Sequence, residues 1–222
     1  MSLLKMKKQI SSTQKALNVW ALILIVWSFY RIQFAFPDWF DEFIAKPILF
    51  IGPVVWYILK VEKKPFFSSI WLDKRKILKD VYYAIIVGLL FFIVSLISTF
   101  IKTRTLPFFI PADLTLFISF IPIMLVTAIS EEIVSRGLVL RTLYMESKNT
   151  LSSTFIASIL FFILHIPILF TNLKLSGHIL ILFMITNLIL SFANSLIYIG
   201  RRSIVLPILI HALFNLTLFL TI

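Results

Sequence analysis

VYYAIIVGLLFFIVSLISTFI, residues 81–101, runs for 21 positions without an Asp, Glu, Lys or Arg. As an α-helix rising about 1.5 Å per residue it reaches about 31 Å, the thickness of the hydrocarbon core of a bilayer. A helix apolar on every face belongs in lipid or deep in a large core. Six further apolar stretches surround this one, at 16–30, 43–59, 114–130, 151–170, 179–200 and 203–222. Composition agrees: 60% of the 222 residues are hydrophobic, 14% are charged and the mean hydropathy is +1.02, against a charged share of about 25% in soluble domains. The predicted fold is therefore all-α, a polytopic transmembrane bundle of about seven membrane helices, with a cavity open toward the cytoplasm.

Residues 1–222 read as a single membrane domain with no internal repeat or flexible linker. Residues 1–113 supply N-terminal helices and a basic loop at 60–80, and residues 114–222 form the catalytic core argued below. The chain holds no cysteine, which excludes disulfides, thiolate catalysis and cysteine-bound zinc. Its net charge of +11 lies between apolar blocks, where it sets topology and meets anionic lipid rather than nucleic acid. The first span follows Lys5, Lys7, Lys8 and Lys15. It is too long for a signal-peptide core and lacks a small-residue cleavage pattern, so it reads as a retained anchor. With the N-terminus in the cytoplasm, 16 of the 21 basic residues face that side; Arg31, Lys46, Lys102, Arg104 and Lys174 face the other. The loop at 60–80 mixes Phe66, Phe67, Ile70 and Trp71 with Lys63, Lys64, Lys74, Arg75, Lys76 and Lys79, the pattern of a segment lying in the headgroup layer.

Ionisable groups within spans cost roughly 2.5 to 3.5 kcal/mol each on insertion scales, so they mark function or pairing. Glu131 and Glu132 close the fourth stretch, His165 sits in the fifth, and His211 with Asn215 in the seventh. If the fourth helix continues to residue 143, Glu131, His165 and His211 lie about 18, 21 and 12 Å from the cytoplasmic ends of their helices, close enough to share one cavity. Glu132 and Arg136 are four apart on one helix face and form an expected ion pair, while Glu131 points about 100° away. An unpaired Glu131 beside a neutral His165 is the candidate general base for a water. His211 and Asn215, also four apart, can aim hydrogen bonds at one spot, as an oxyanion hole requires. Pro167 and Pro207 beside the histidines are expected to break backbone hydrogen bonds there, as a kink or as a site-shaping device.

Three motifs in order give these residues a context. Glu131, Glu132 and Arg136 form EExxxR in SEEIVSRGLVLRTL, Phe161 and His165 form FxxxH in FFILH, and His211 and Asn215 form HxxxN in GRRSIVLPILIHALFN. In these the sequence resembles the CAAX protease and bacteriocin-processing family of intramembrane proteases, also called the Abi family. Ser135 departs from the family pattern, where a bulky residue is usual. The resemblance implies endoproteolysis in the membrane, with Glu131 and His165 activating water, His211 and Asn215 holding the oxyanion, and Glu132, Arg136 and Phe161 as structural support. The family has also been described as zinc-dependent, in which case Glu131, His165 and His211 would be the ligands. No HExxH is present, and Asn is a poor zinc ligand and a good oxyanion donor, which favours a reaction without metal or other cofactor.

The expected function is thus an intramembrane endopeptidase acting on a peptide or protein tail at the cytoplasmic side, its other partner being anionic lipid. The alternative is a non-catalytic immunity or regulatory protein that binds a toxin peptide or a sensor kinase. A proton-coupled transporter would call for repeated helices, which the sequence lacks. Small size and the absence of targeting extensions point to a bacterial cytoplasmic membrane. The charge asymmetry makes a direct prediction: a single cysteine placed at Ser68 stays unlabelled when an impermeant thiol reagent is applied to intact cells. Labelling from outside would invert the topology.

Overall fold

The structure, a computed structural model, describes residues 10–104, 114–171 and 177–221. Lys5, Lys7, Lys8 and Lys174, which enter the charge asymmetry, lie outside these residues. Helix α1, Ser12–Gln33, begins where Ser11 turns its side chain onto the N–H of Gln14, satisfying a donor that a first helical turn leaves without a partner. The N–H of Thr13 donates to Glu146 Oε2 at 2.8 Å, tying this end of α1 to a distant segment. The hydrogen bonds from Thr13 hold the Glu146 carboxyl below the usual carboxylate range.

After Pro37, helix α2 runs Asp38–Glu62, with π-helical turns at Asp41–Ala45 and Tyr57–Glu62. Helix α3 is Ile77–Thr103. Helix α4, Leu114–Glu132, continues without a break through a π-helical segment, Ile133–Leu140, into α5, Arg141–Ser147. Helices α6, Thr150–Thr171, α7, Gly177–Arg201, and α8, Val205–Thr221, complete the fold. No strand occurs among the described residues. Lys63, Arg104, Lys148 and Arg202, with φ between 49° and 58°, stand at or just past helix ends. A left-handed conformation costs a non-glycine residue of order 1 kcal/mol, which a cation beside the negative end of a helix dipole offsets.

All seven apolar stretches lie on helices. Among the described residues four helices are long and apolar enough to cross a membrane, Ser12–Gln33, Asp38–Glu62, Lys74–Ser98 and Thr150–Pro167, and Val205–Leu218 is a shorter apolar helix. Only 11% of the Lys74–Ser98 window is buried within the protein, so α3 turns most of its surface toward lipid. It packs on α8, where Gly88 permits the approach: a Cβ there would stand 2.6 Å from Leu213 Cδ1.

The core gathers around the π-helical segment, every residue of which is buried. Trp20, Ile23 and Trp27 from α1, Phe50, Val54 and Ile58 from α2, and Leu164 from α6 pack in the same cluster. The loop after α2 enters this core instead of only lying in the headgroup layer. Ile70 is buried against Gly137, Trp71 stacks on Tyr198 at 4.7 Å, and the Trp71 carbonyl accepts from the N–H of Ile204. Phe67 stays exposed, so a single short segment divides between protein and surroundings. The pattern of mixed aromatic and basic residues does not distinguish these two fates.

Two charges assigned to the outer side by sequence prove to be internal. Arg31 is buried with Asp41, and Lys46 with Glu42 and Glu131. Reading the first span as an uncharged run stopped α1 before Arg31, and Lys46, although inside the 43–59 stretch, was counted with the outer side; a paired charge can stay inside. Pro207 is the third residue of α8, where the missing N–H breaks no helical bond; Pro167 does lie inside α6.

Asp80, fully buried, accepts from Arg201 Nε at 2.7 Å and from Ser203 Oγ, which pins the start of α3 to the turn between α7 and α8. Asp80→Asn keeps the shape but leaves Arg201 without a counter-charge. Because the Arg201 side chain is 28% exposed, the expected loss is about 2–3 kcal/mol, below that for a fully buried pair. A melting temperature in detergent equal to that of the wild type would show that this pair does not hold the turn.

Candidate active site

The last two residues of α4 carry the centre. Glu132, with no exposed surface, accepts at one oxygen, Oε1, from Arg136 Nη1 at 3.1 Å, His211 Nδ1 at 2.9 Å and Asn194 Nδ2 at 3.3 Å. These donors come from the π-helical segment, α8 and α7. Arg136 also donates through Nη2 to the carbonyl and hydroxyl of Ser191, and Asn194 to the carbonyl of Pro207. The expected Glu132–Arg136 pair is present, but Glu132 is more than a structural partner, since it also orients a histidine.

Glu131 faces the other way. Its Oε1 accepts from Lys46 Nζ at 3.0 Å. Its Oε2 is buried with no hydrogen-bond partner and faces His165 Nε2 at 3.4 Å and His211 Nε2 at 3.6 Å. The expectation of an unpaired Glu131 is thus corrected: a lysine 85 residues away in sequence is its counter-ion. Lys46 was missed because the helix that carries it was taken to begin near that residue. Two signals pointed to it, the i,i+4 spacing from Glu42 and the polar cluster Asp41, Glu42 and Lys46 at one end of an apolar run.

The tautomers follow from the partners. A carbonyl can only accept, so His165 Nδ1 carries the hydrogen that meets the Phe161 carbonyl at 3.0 Å. The Glu132 carboxylate likewise takes the hydrogen of His211 Nδ1. In neutral imidazoles both Nε2 atoms then present lone pairs to Glu131 Oε2. Three acceptors facing one another, at separations beyond a normal hydrogen bond, require a proton, a donating molecule or a cation between them. Phe161 packs under the group, its ring 4.6 Å from His165, 5.8 Å from His211 and 4.7 Å from the Arg136 guanidinium. Asn215 is half-buried one turn beyond His211, and no hydrogen bond ties it to the others among the described residues.

By ligand type Glu131, His165 and His211 suit zinc. Among the described residues, however, no group of three such side chains has the geometry to hold a metal ion, and the Lys46 ammonium already neutralises one oxygen of the carboxylate. A dication at that carboxylate would be repelled by it. Glu131 Oε2, His165 Nε2 and His211 Nε2 are the atoms that would hold an ion, and Lys46 is the group that disfavours a dication there.

The groups are packed: His211 is 2% exposed, Glu131 5%, and the His165 side chain, the most open, 12%. The expected cavity around them is absent from the two cavities described. One, of about 440 Å³, lies among Lys15, Tyr57, Glu62, Arg141 and Glu146. The other, of about 260 Å³, is an apolar groove between α3, α4 and α8 lined by Ile85, Met124, Leu209 and Leu213. Sequence reading also passed over Ser191 and Asn194. With Asn187 and Ser195 they form a buried polar stripe at helical spacing on α7, and that stripe was legible in an otherwise apolar span.

The family model type II CAAX prenyl endopeptidase Rce1-like matches residues 113–217. The match covers all three motifs and supports the CAAX protease family for this chain. No curated protein and no solved structure matches it.

Arg136→Gln is expected to lower the amount of folded protein, because it leaves the Glu132 carboxylate uncompensated. Glu132→Gln combined with Arg136→Gln recovers part of the fold but not the orientation of His211. Equal yield and melting temperature for wild type and Arg136→Gln would remove the pair from the account.

Proposed function

We propose that this multi-pass membrane protein is an intramembrane endopeptidase that hydrolyses a peptide bond in a tail presented at the cytoplasmic side. The family match supports a CAAX-type protease with a peptide or protein substrate. The observation that carries the chemical reading is Glu131 Oε2, buried, without a hydrogen-bond partner and facing two imidazole Nε2 atoms.

Charge balance favours one proton at this spot. Glu42, Glu131 and Glu132 carry three negative charges against the two positive charges of Lys46 and Arg136, so one protonated histidine neutralises the cluster. We assign this proton to His211, whose Nδ1 meets Glu132 and whose Nε2 faces Glu131. Its Nε2–H then serves as a donor.

In the reaction we infer, a water between Glu131 Oε2 and His165 Nε2 gives its proton to Glu131 as its oxygen adds to the scissile carbonyl carbon. The oxyanion takes hydrogen bonds from His211 Nε2–H and from the Asn215 amide. Collapse of the tetrahedral intermediate breaks the C–N bond, and the proton on Glu131 passes to the leaving amine. No step runs through a metal. Seven crossings with a cytoplasmic N-terminus complete the proposal, supported by seven apolar helical stretches and by basic residues concentrated on one side. A bacterial cytoplasmic membrane and anionic lipid on its inner face accord with the same charge pattern.

The test is cleavage of a quenched fluorescent prenylated CAAX peptide by protein reconstituted in liposomes. Glu131→Gln and His165→Ala are expected to lose at least about 10² in turnover while remaining folded. His211→Ala and Asn215→Ala are expected to lose about 10² to 10³, the usual loss for one oxyanion donor. Strong chelators leave turnover intact. Wild-type turnover by Glu131→Gln would overturn the assignment, and loss of activity to chelator with recovery on added Zn²⁺ would replace the mechanism.

A further inference from the structure

Lys46 is 2% exposed, on a helix that lies outside the residues matched by the family model. Its position is costly for a cation, since placing Lys at the centre of a span is unfavourable on insertion scales. Glu42, four residues earlier on the same helix, already supplies a counter-charge. A lysine kept only to neutralise Glu42, or the reverse, would need nothing from α4. Instead Nζ reaches 3.0 Å to Glu131 Oε1, while Glu42 is held in turn by Thr127 Oγ1 at 2.9 Å. Thr127 and Glu131 are four apart on α4, so α2 and α4 are joined by a ladder of four polar groups that ends on the reactive carboxylate. Trp27 from α1 lies over the ammonium, its ring centroid 5.5 Å from Nζ, which limits where Nζ can go.

We propose that Lys46 is a positioning residue for Glu131, holding Oε1 so that Oε2 is the oxygen presented to His165 and His211; the proposal rests on the protease reading. A carboxylate has two equivalent oxygens and a rotatable stem. With Oε1 held by an ammonium fixed through Glu42 and Trp27, the side chain has one orientation, and Oε2 meets both imidazoles. The N-terminal half thereby completes a site whose motifs all lie in the C-terminal half.

Two measurements decide this, one of them independent of turnover. The chain has three histidines, so ¹⁵N-histidine NMR in micelles resolves the imidazole nitrogens. Lys46→Met is expected to move the Nε2 resonances of both His165 and His211, and Lys46→Arg to return them toward wild-type positions. On the prenylated peptide, Lys46→Met is expected to lower kcat by roughly 10- to 100-fold, the scale of a misplaced reacting group, with KM changed by less than about 2-fold. Lys46→Arg recovers most of it. If Lys46→Met does not accumulate, Glu42→Gln combined with Lys46→Met removes both charges of the helical pair and is measured in its place. Unmoved Nε2 resonances and wild-type kcat in a folded variant, alongside an inactive Glu131→Gln, overturn the positioning role and leave the protease reading standing. Wild-type turnover by Glu131→Gln overturns Glu131 as the base, and the resonances of Lys46→Met then still show whether Lys46 sets the carboxylate; no cleavage of the peptide by the wild-type protein overturns the protease reading. A fall in melting temperature with no change in resonances or kcat would make Lys46 a packing residue only and overturn the proposal.

Discussion

A carboxylate with no exposed surface in an apolar bundle needs strong compensation, and Glu132 draws three donors onto Oε1 while its Oε2 has no hydrogen-bond partner. The donors come from three stretches far apart in sequence, so the requirement fixes how α4, α7 and α8 approach one another. Arg136, needed as the counter-charge, is held in turn by Ser191, whose carbonyl and hydroxyl accept from Nη2. In hydrocarbon the hydrophobic effect does little to select between helix pairings. Specific polar contacts of this kind, together with close packing at small residues such as Gly88 and Gly137, carry the selection instead.

The π-helical segment Ile133–Leu140 stands at the centre of this arrangement. It follows directly on the two glutamates and is buried along its whole length, touching α1, α2, α6 and α7. A π-turn widens the helix and shifts the faces of the residues after it. Arg136 keeps its i,i+4 contact with Glu132, and Gly137 turns to meet Ile70 of the inserted loop. The residue that pairs with Glu132 and the one that packs on Ile70 are thus neighbours in sequence.

Much of this was legible beforehand, and for identifiable reasons. Apolar runs report the medium around a helix, so all seven stretches were found as helices. The convergence of Glu131, Glu132, His165 and His211 was legible because ionisable groups at similar depth in different spans must account for one another. Lys46 and Arg31 were misplaced because charge was assigned to the outer side, whereas each had an acidic partner that let it stay inside. Asn194 was missed because attention to ionisable groups passes over neutral donors. The docking of Ile70 and Trp71 was not legible at all, since an amphipathic loop has the same composition whether its aromatic residues meet lipid or Tyr198.

The pair formed by Glu42 and Lys46 has a meaning in time as well as in space. A membrane protein is inserted as it is made, and 85 residues separate Lys46 from Glu131. At roughly 5–20 residues per second, α2 exists for several seconds before its partner on α4 has been synthesised. During that interval an unaccompanied lysine would pull the segment back toward water. Glu42, one turn away on the same helix, travels with it and neutralises it from the start, so α2 can enter the bilayer as a self-contained unit. The later arrival of Glu131 then finds the ammonium already in place, and the short-range pair serves as a chaperone for the long-range one.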